Sequence, residues 1–249
     1  MLNGFYLINK PTGITSHDVI DRLRKVTGER TIGHTGTLDP AASGLLIVAI
    51  GREYTKRISE FSGLNKEYLA EIELGKTSTT YDSEGDMADY TDYTPTDKEV
   101  KNVLENFEDE YMQTPPAYSA KKIKGRKAYE LARRGKEVEL KPVKVKIIDL
   151  EGQYFEYPIL KIRTTVSAGT YIRSLAHDIG QKLGTGAYLK SLIRTKIGDF
   201  PLDKAINLSD VHNPDDLLVA KIVWLYVNKG KGRNKEKILK VWIQNNFYL

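Results

Sequence analysis

The sequence contains no cysteine among its 249 residues. Disulfide bonds, zinc–thiolate sites and thiol nucleophiles are therefore excluded, and a reducing compartment is permitted. The chain also lacks an apolar run near the ~18 residues that cross a bilayer, and its N-terminus has no basic stretch followed by a long apolar one. We expect a cytoplasmic protein, whose 40% hydrophobic content suffices for a core in one large domain with at most a small appendage.

Charge is distributed unevenly along the chain. The formal net charge is only +5, but residues 82–110 carry eleven acids and two bases. Residues 121–147 carry eleven bases and three acids, and residues 221–240 carry seven bases and one acid. A single charge run usually means a solvated face, and this is our interpretation of the acidic run, although it could also keep RNA off the wrong face. Two basic segments with tyrosines nearby indicate nucleic-acid binding.

Residues 33–44, Gly-His-Thr-Gly-Thr-Leu-Asp-Pro-Ala-Ala-Ser-Gly, display one carboxylate between glycines, and we call them the Asp39 segment. Glycine permits backbone angles that other residues disfavour, and Pro40 pushes Asp39 toward an extended conformation. The apolar run 45–50 behind it reads as a buried strand. A polar loop at the edge of a rigid strand commonly carries a catalytic group. The alternative is a tight turn whose aspartate only satisfies backbone N–H groups.

Hydrophobic periodicity predicts the other elements. Ser16 is the expected N-cap of a helix that ends at Gly28. Thr170 is the expected cap of a second helix, with Arg173 in its first turn but off its buried stripe. Because a cation is unfavourable at a helix N-terminus, we infer an anion near Arg173. Further helices are predicted over 52–61, 96–107 and 127–134, and strands over 5–8, 66–74, 143–150, 154–166, 219–227 and 238–243.

Four motifs stand in order along the chain: Lys10-Pro-x-Gly-x-x-Ser16, the Asp39 segment, Lys66-x-Tyr68 and Ser167-x-Gly-Thr-Tyr-Ile-Arg173; the segment Gln113-x-Pro-Pro-x-Tyr-Ser-Ala120 lies between the last two and belongs to the same resemblance. Together they resemble the TruB family, the bacterial tRNA pseudouridine-55 synthases, over roughly residues 4–208. The resemblance implies an α/β (α+β) pseudouridine synthase fold, with a mixed, largely antiparallel sheet and helices around a central cleft. It implies a catalytic domain over 1–208 with an RNA-gripping insertion at about 111–141. Residues 209–249 would be a short basic appendage, a reduced PUA-like segment.

The resemblance also implies a reaction, the isomerisation of uridine 55 to pseudouridine with Asp39 as nucleophile. The glycosidic bond breaks, the base rotates, and C5 rejoins the ribose, so neither cofactor nor metal is required. Arg173 is implied to pair with Asp39 and keep it ionised. Tyr68 is implied to stack on the target base and is a candidate for the proton transfers, although its place on an apolar strand face also fits a core tyrosine. Attack at C1′, attack on the base and a glycal route all stay open.

The implied partner is tRNA, whose T-loop uridine must be flipped out of its stack. We expect a monomer that needs no protein partner. His34 is implied to occupy space vacated by the flipped nucleotides, and Lys10 to support the Asp39 segment. The other implied RNA contacts are two pocket residues and four bases of the insertion: Tyr171, Leu192, Lys121, Lys122, Lys124 and Arg126.

Three other functions stay open at this point. The chain could be a tRNA-binding or tRNA-folding protein in which the Asp39 segment is only structural. It could be an aspartate-dependent hydrolase of nucleosides or glycans, but no motif places an acid partner near Asp39. A guide-RNA-dependent relative would need a substantial PUA domain, for which residues 209–249 leave little room.

Overall fold

The computed structural model describes residues 2–119, 122–123, 126–127, 140–229 and 236–243. It divides into two compact units: residues 1–63 with 195–249 form the first unit, and residues 64–194 form the second. The expected division into residues 1–208 and 209–249 does not coincide with these units and stays a prediction. None of the helices within the described ranges is long and apolar enough to span a membrane.

Within the described residues, both units contain strands and helices. The strands are β1 (Gly4–Lys10), β2 (Ile32–His34), β3 (Ala42–Ile50), β4 (Lys66–Leu74), β5 (Lys76–Ser78), β6 (Met87–Asp89), β7 (Glu110–Gln113), β8 (Lys122–Ile123), β9 (Arg126–Lys127), β10 (Val143–Glu156), β11 (Ile159–Val166), β12 (Ala187–Ile197), β13 (Phe200–Pro201), β14 (Ile206–Asn207), β15 (Lys221–Lys229) and β16 (Glu236–Ile243). The α-helices are α1 (Ser16–Thr27), α2 (Arg52–Thr55), α3 (Ser59–Ser62), α4 (Asp97–Glu105) and α5 (Ile172–Leu183), and 3₁₀ helices span Leu202–Lys204, Leu208–Asp210 and Pro214–Ala220.

The first unit is built on an antiparallel pair, β1 and β3, that is buried on both faces. Tyr6 lies opposite Val48 in this pair. On one face, Tyr6 and Ile8 pack with Leu23 and other apolar residues of α1. On the other face, the ring centroids of Phe5 and Phe61 lie 4.4 Å apart. Burial on both sides explains why these strands read as continuous apolar runs rather than as alternating patterns.

The N-cap of helix α1 lies one residue earlier than the sequence predicts. Its N-cap is Thr15, whose side chain accepts a hydrogen bond from the Asp18 N–H while the Asp18 carboxylate accepts from Thr15 N–H. The prediction of Ser16 as the cap is therefore wrong, because Thr15 and Asp18 form the reciprocal capping box. The helix ends at Gly28 in a left-handed conformation (φ 71°), as predicted.

The second unit contains a sheet in the order β12-β4-β11-β10-β7. Strand β4 coincides with the predicted 66–74 and alternates as expected, with Tyr68, Ala70, Ile72 and Leu74 on its buried face. The predicted break at 151–153 is wrong, since β10 continues to Glu156 and a register shift interrupts its alternation. The turn between β10 and β11 instead lies at Tyr157–Pro158, a cis peptide bond.

Two helix predictions need correction or stay open. The predicted helix 52–61 is two short helices, α2 and α3. Helix α4 is confirmed, with Thr96 and Glu99 forming its capping box. The predicted helix 127–134 begins at Lys127, which lies in β9; the remainder of that prediction falls outside the described residues.

The basic C-terminal residues contain the predicted antiparallel hairpin, formed by β15 and β16. Strand β15 also pairs with β1, placing Ile222 opposite Phe5 and Lys221 opposite Tyr6. The hairpin therefore extends the sheet of the first unit. Whether residues 209–249 amount to a reduced PUA-like segment stays a prediction.

Candidate active site

Two loops of the first unit, the loop after β1 and the Asp39 segment, are joined by hydrogen bonds. The buried Ser16 hydroxyl donates to the Leu38 carbonyl (3.1 Å) and accepts from the Leu38 N–H (2.9 Å). Gly13 N–H donates to the Pro40 carbonyl at 2.8 Å. Because Thr15 caps α1, the Ser16 hydroxyl is available for this second task. The backbone on either side of Asp39 is thus fixed from the preceding loop.

Lys10 lies beneath the same pair of loops and is fully buried. Its ammonium group donates to the carbonyls of Pro11 (2.8 Å), Ile14 (2.7 Å) and Pro40 (3.5 Å). A buried cation needs such compensation, and here backbone carbonyl dipoles supply part of it. Lys10 therefore contacts the Asp39 segment through its backbone.

Asp39 is half-buried in the loop between β2 and β3, and its carbonyl accepts from the Ala42 N–H at 3.1 Å. The glycines around it serve two different purposes. Gly36 adopts a left-handed conformation (φ 109°), which a side chain would disfavour. At Gly33 a Cβ would lie 2.7 Å from Ile58 Cδ1, so a larger residue would require the end of the Ile58 side chain to shift. His34 is half-buried at the end of β2, opposite Val48.

Tyr68 and Leu192 are candidate site residues of the second unit. Tyr68 is 8% exposed and lies opposite Thr164 of the neighbouring strand. Leu192 is half-buried in β12. Lys66, two residues before Tyr68 on the same strand face, is also buried, and its ammonium donates to the Leu64 carbonyl at 2.6 Å. Burial, followed by the nearby Arg194 cation, lowers the pKa of Lys66 to about 8.

Arg173 is buried, contrary to the prediction that it lies off the buried stripe of its helix. Its guanidinium contacts include Asp82, since Nη1 lies 3.3 Å from Asp82 Oδ2, and two backbone carbonyls: Nη1 donates to that of Thr80 (3.2 Å) and Nη2 to that of Tyr118 (2.9 Å). The inferred anion near Arg173 is thereby confirmed as Asp82. The expected pairing of Arg173 with Asp39 joins residues of different units and stays a prediction.

Asp82 belongs to the acidic run that we interpreted as a solvated face, and for this residue the interpretation is wrong. It is buried, and its Oδ1 accepts from the Thr80 hydroxyl and from the Glu84 N–H. The preceding residue, Tyr81, has a positive φ of 63°, and its ring stacks on the His177 ring at 4.0 Å. One carboxylate oxygen is thus used within the turn, and the other is directed at Arg173.

The start of helix α5 also differs from the prediction. Its N-cap is Tyr171 rather than Thr170, whose hydroxyl is bonded to the Ser167 hydroxyl. The Tyr171 side chain makes no capping hydrogen bond to the first turn of the helix. Instead, the Gln113 carboxamide accepts from the Tyr171 N–H (2.8 Å) and donates to the Tyr171 carbonyl (3.1 Å).

Sequence reasoning missed the contacts of Asp82, Tyr118 and Gln113 with helix α5. Gln113 and Tyr118 belong to the segment Gln113-x-Pro-Pro-x-Tyr-Ser-Ala120, which could have indicated them, but the sequence assigned that segment no role. Asp82 carried no separate signal, because a charge count treats every acid of the run alike.

The basic insertion is only partly described. Lys122 and Arg126 lie in β8 and β9, a two-stranded ladder, whereas Lys121 and Lys124 fall outside the described residues. Within the ranges that the structure describes, no group of three or more His, Asp or Glu side chains could hold a metal ion.

Similarity to known proteins covers most of the chain. Residues 24–172 match the family model of the TruB family pseudouridylate synthase N-terminal domain, and residues 173–220 match that of the tRNA pseudouridylate synthase B C-terminal domain. The tRNA pseudouridine synthase B of Protochlamydia amoebophila is 44% identical over 216 residues, covering 87% of this chain and 82% of the relative. That of Aquifex aeolicus is 42% identical over 226 residues, covering 88% and 77%.

Two solved structures are similar to this chain at lower identity. A chain of a Cbf5-Nop10-Gar1 complex is 33% identical with a TM-score of 0.65, covering 84% of this chain. A chain of an H/ACA RNP bound to a substrate RNA containing 2′-deoxyuridine is 31% identical with a TM-score of 0.63. This chain spans about half the length of those two, 53% and 52%.

Proposed function

The chain belongs to the TruB family of pseudouridylate synthases, and we propose that it converts the T-loop uridine 55 of tRNA to pseudouridine. Family membership supports the reaction, since the curated relatives are named for it. The observation that carries the site assignment is the buried support of the Asp39 segment by Lys10 and Ser16. A tight turn that is stabilised only by its own hydrogen bonds would not require a buried lysine beneath it.

We assign the role of nucleophile to Asp39. In the route through C1′, its carboxylate attacks C1′ of the ribose as the C1′–N1 bond breaks, and uracil leaves with the bonding electron pair. The base rotates, C5 forms a new bond to C1′, and the carboxylate is released. C5 then loses its proton and N1 gains one, so that the product is an isomer of the substrate. A carboxylate suits this step because it can both attack and leave, as in retaining glycosidases.

Arg173 and Tyr68 are proposed to act in the same reaction. A cation fixed by Asp82 and two backbone carbonyls is preorganised, so it can stabilise negative charge without reorganising during the reaction. Tyr68 would stack on the target base, and a flat ring tolerates a base that must rotate. Tyr171 and Leu192 would complete the pocket, and Lys10 would hold the Asp39 segment in place.

The remaining contacts concern tRNA. His34 would fill space left by the flipped nucleotides, and Lys121, Lys122, Lys124 and Arg126 would grip the phosphate backbone. The basic residues 221–240 would add affinity for the rest of the tRNA. We propose that the enzyme does this as a monomer without a protein partner, in the cytoplasm where its tRNA substrate is found.

The decisive experiment maps pseudouridine in an unmodified tRNA transcript after incubation with the purified protein. The wild type is expected to modify position 55, whereas Asp39→Asn is expected to lose at least about 1,000-fold in rate while still binding the tRNA. Asp21→Asn, an exposed aspartate of α1, is the matched control.

Two results would contradict the proposal, and a third would add a tRNA-folding function to it. Substantial turnover by Asp39→Asn would remove the nucleophile assignment. Release of free uracil would indicate a hydrolase. An Asp39→Asn variant that fully rescued a strain lacking the enzyme would favour a tRNA-folding function.

A further inference from the structure

The end of strand β7 and the residues after it contact helix α5 along one helix face. The contacted positions are Tyr171, Ser174 and Asp178, which are spaced as i, i+3 and i+7. Residues at this spacing lie on the same side of an α-helix over two turns. All three contacts are polar, which is unusual for a helix face turned toward a strand and indicates that orientation, not only burial, is specified.

Gln113 makes the first of these contacts and is completely buried. Its carboxamide oxygen accepts from the Tyr171 N–H, and its amide nitrogen donates to the Tyr171 carbonyl. Two hydrogen bonds to the N–H and the carbonyl of one residue fix both the position and the direction of its backbone, as a single hydrogen bond does not. The residue it holds is the N-cap of α5, immediately before the turn that carries Arg173.

The same carboxamide is also linked, through the Tyr111 hydroxyl, to Asp178 on helix α5. Its amide nitrogen also donates to the Tyr111 hydroxyl (2.6 Å), and that hydroxyl donates to Asp178 Oδ2 (3.0 Å). Burial, followed by the nearby Asp178, raises the pKa of Tyr111, in keeping with a hydroxyl that stays protonated and donates. Between these points, the Ser174 hydroxyl donates to the Thr114 carbonyl at 2.8 Å.

Arg173 lies within the turn that these contacts hold. Its Nη2 donates to the carbonyl of Tyr118, in the same motif as Gln113. The segment 113–118 therefore fixes the helix backbone before Arg173 and also accepts from its side chain. We propose that Gln113 is a positioning residue that sets the location of the Arg173 guanidinium through the start of α5. This inference rests on the proposed role of Arg173 in pseudouridine formation.

The test uses the full-length protein and unmodified tRNA, with kcat and KM measured separately. Gln113→Leu is expected to lower kcat by about tenfold or more with KM changed less than about twofold, because misplacing a catalytic group by a fraction of an ångström is costly while the basic residues proposed to grip the phosphate backbone are unaltered. A merely structural role would lower the amount of folded enzyme without this split.

Tyr111→Phe provides a milder variant in case Gln113→Leu does not fold. It removes one hydroxyl from the chain that joins Gln113 to Asp178, and it is expected to lower kcat by about threefold. Its matched control is Tyr90→Phe, which also removes a tyrosine hydroxyl bonded to α5, at Gln181 (3.2 Å), but outside the Gln113 network. An equal effect of the two tyrosine variants on kcat would overturn the proposal.

A double-mutant cycle with Arg173→Lys separates this proposal from the proposed function. If Gln113 acts through Arg173, Gln113→Leu will cause little further loss of kcat in the Arg173→Lys background. Full additivity, or a wild-type kcat for Gln113→Leu, would overturn the positioning role while leaving the function intact. A wild-type kcat for Arg173→Lys would contradict the proposed role of Arg173, and the positioning inference with it.

Discussion

Arg173 and Asp82 form a buried ion pair, with Nη1 and Oδ2 3.3 Å apart and the side chains 7% and 10% exposed. Such a pair contributes little net stability, because desolvation offsets much of the attraction, but removing one partner leaves a buried charge uncompensated. The pair is therefore better explained by the need to hold a guanidinium in one orientation than by stability alone. The turn around Asp82, with Tyr81 at positive φ, supports that explanation.

Asp82→Asn should weaken this support while nearly preserving shape. We expect a lower melting temperature and a kcat reduced by about tenfold or more, with tRNA affinity nearly unchanged, because the amide cannot balance the Arg173 charge. Thermal unfolding, turnover and filter binding give the three quantities. Asp86→Asn, exposed in the same turn, is the control and should match the wild type. Unchanged kcat in Asp82→Asn would show that the ion pair does not orient Arg173.

Ser16→Ala should loosen the Asp39 segment. The variant leaves both the N–H and the carbonyl of Leu38 without this hydroxyl, which should cost about 1–3 kcal/mol in the free energy of unfolding. We also expect a lower kcat, since Asp39 follows Leu38 directly. Denaturant unfolding and turnover measure the two effects. Ser209→Ala, an exposed serine of the same unit, should change neither, and a Ser16→Ala enzyme with full kcat would contradict the supporting role.

Lys66 should make stability depend on pH in the alkaline range. Its pKa is about 8 in the folded protein and 10.5 in the unfolded chain, so the unfolded state binds more protons between these values. The free energy of unfolding should therefore rise from pH 8 toward pH 10, with a slope of at most about 1.4 kcal/mol per pH unit.

Above pH 10 the trend should reverse. Burial raises the pKa of Tyr6 and of Tyr188 to about 12, so the folded state then retains more protons than the unfolded one. Denaturant unfolding of wild type and Lys66→Met at pH 7.5, 8.5, 9.5 and 10.5 checks both parts. The rise below pH 10 should disappear in Lys66→Met, and its persistence would assign it to another group.

The basic C-terminal residues should contribute to tRNA affinity in a salt-dependent way. Replacing Lys231, Arg233 and Lys235 by Gln is expected to weaken binding and to reduce the slope of log K against log salt by up to about 3. Turnover on a minimal T-arm stem-loop should change less. Equal losses on tRNA and stem-loop would count against the prediction.

Substitution is preferable here to truncation of residues 221–249. Strand β15 pairs with β1, so a truncation would also remove a strand from the sheet of the first unit. A loss of binding could then arise from lost stability rather than from lost charge. Lys101→Gln, an exposed base on α4, is a suitable control for the loss of a single positive charge.

Local features of the fold were predictable because their causes are local. The alternation of 66–74 specifies β4 and the inward face of Tyr68, and Gly28 ends α1 because only glycine adopts its left-handed conformation at low cost. Predictions failed where two local solutions compete: Thr15 and Ser16 are both good caps, and Asp18 decides for Thr15. The break within β10 was misplaced because a bulge mimics the end of a strand in its pattern.

Sequence patterns were enough to indicate the family, the strand that follows the Asp39 segment, and the need of Arg173 for an anion. The identity of that anion, and the convergence of Gln113, Tyr118 and Asp82 on helix α5, could be read only from the folded chain. The reason is physical: a charge run or a helix stripe is a property of neighbouring residues, whereas burial and pairing depend on chain segments that meet only after folding. Asp82 thus reads as a solvated acid in the sequence and is a buried counter-ion in the structure.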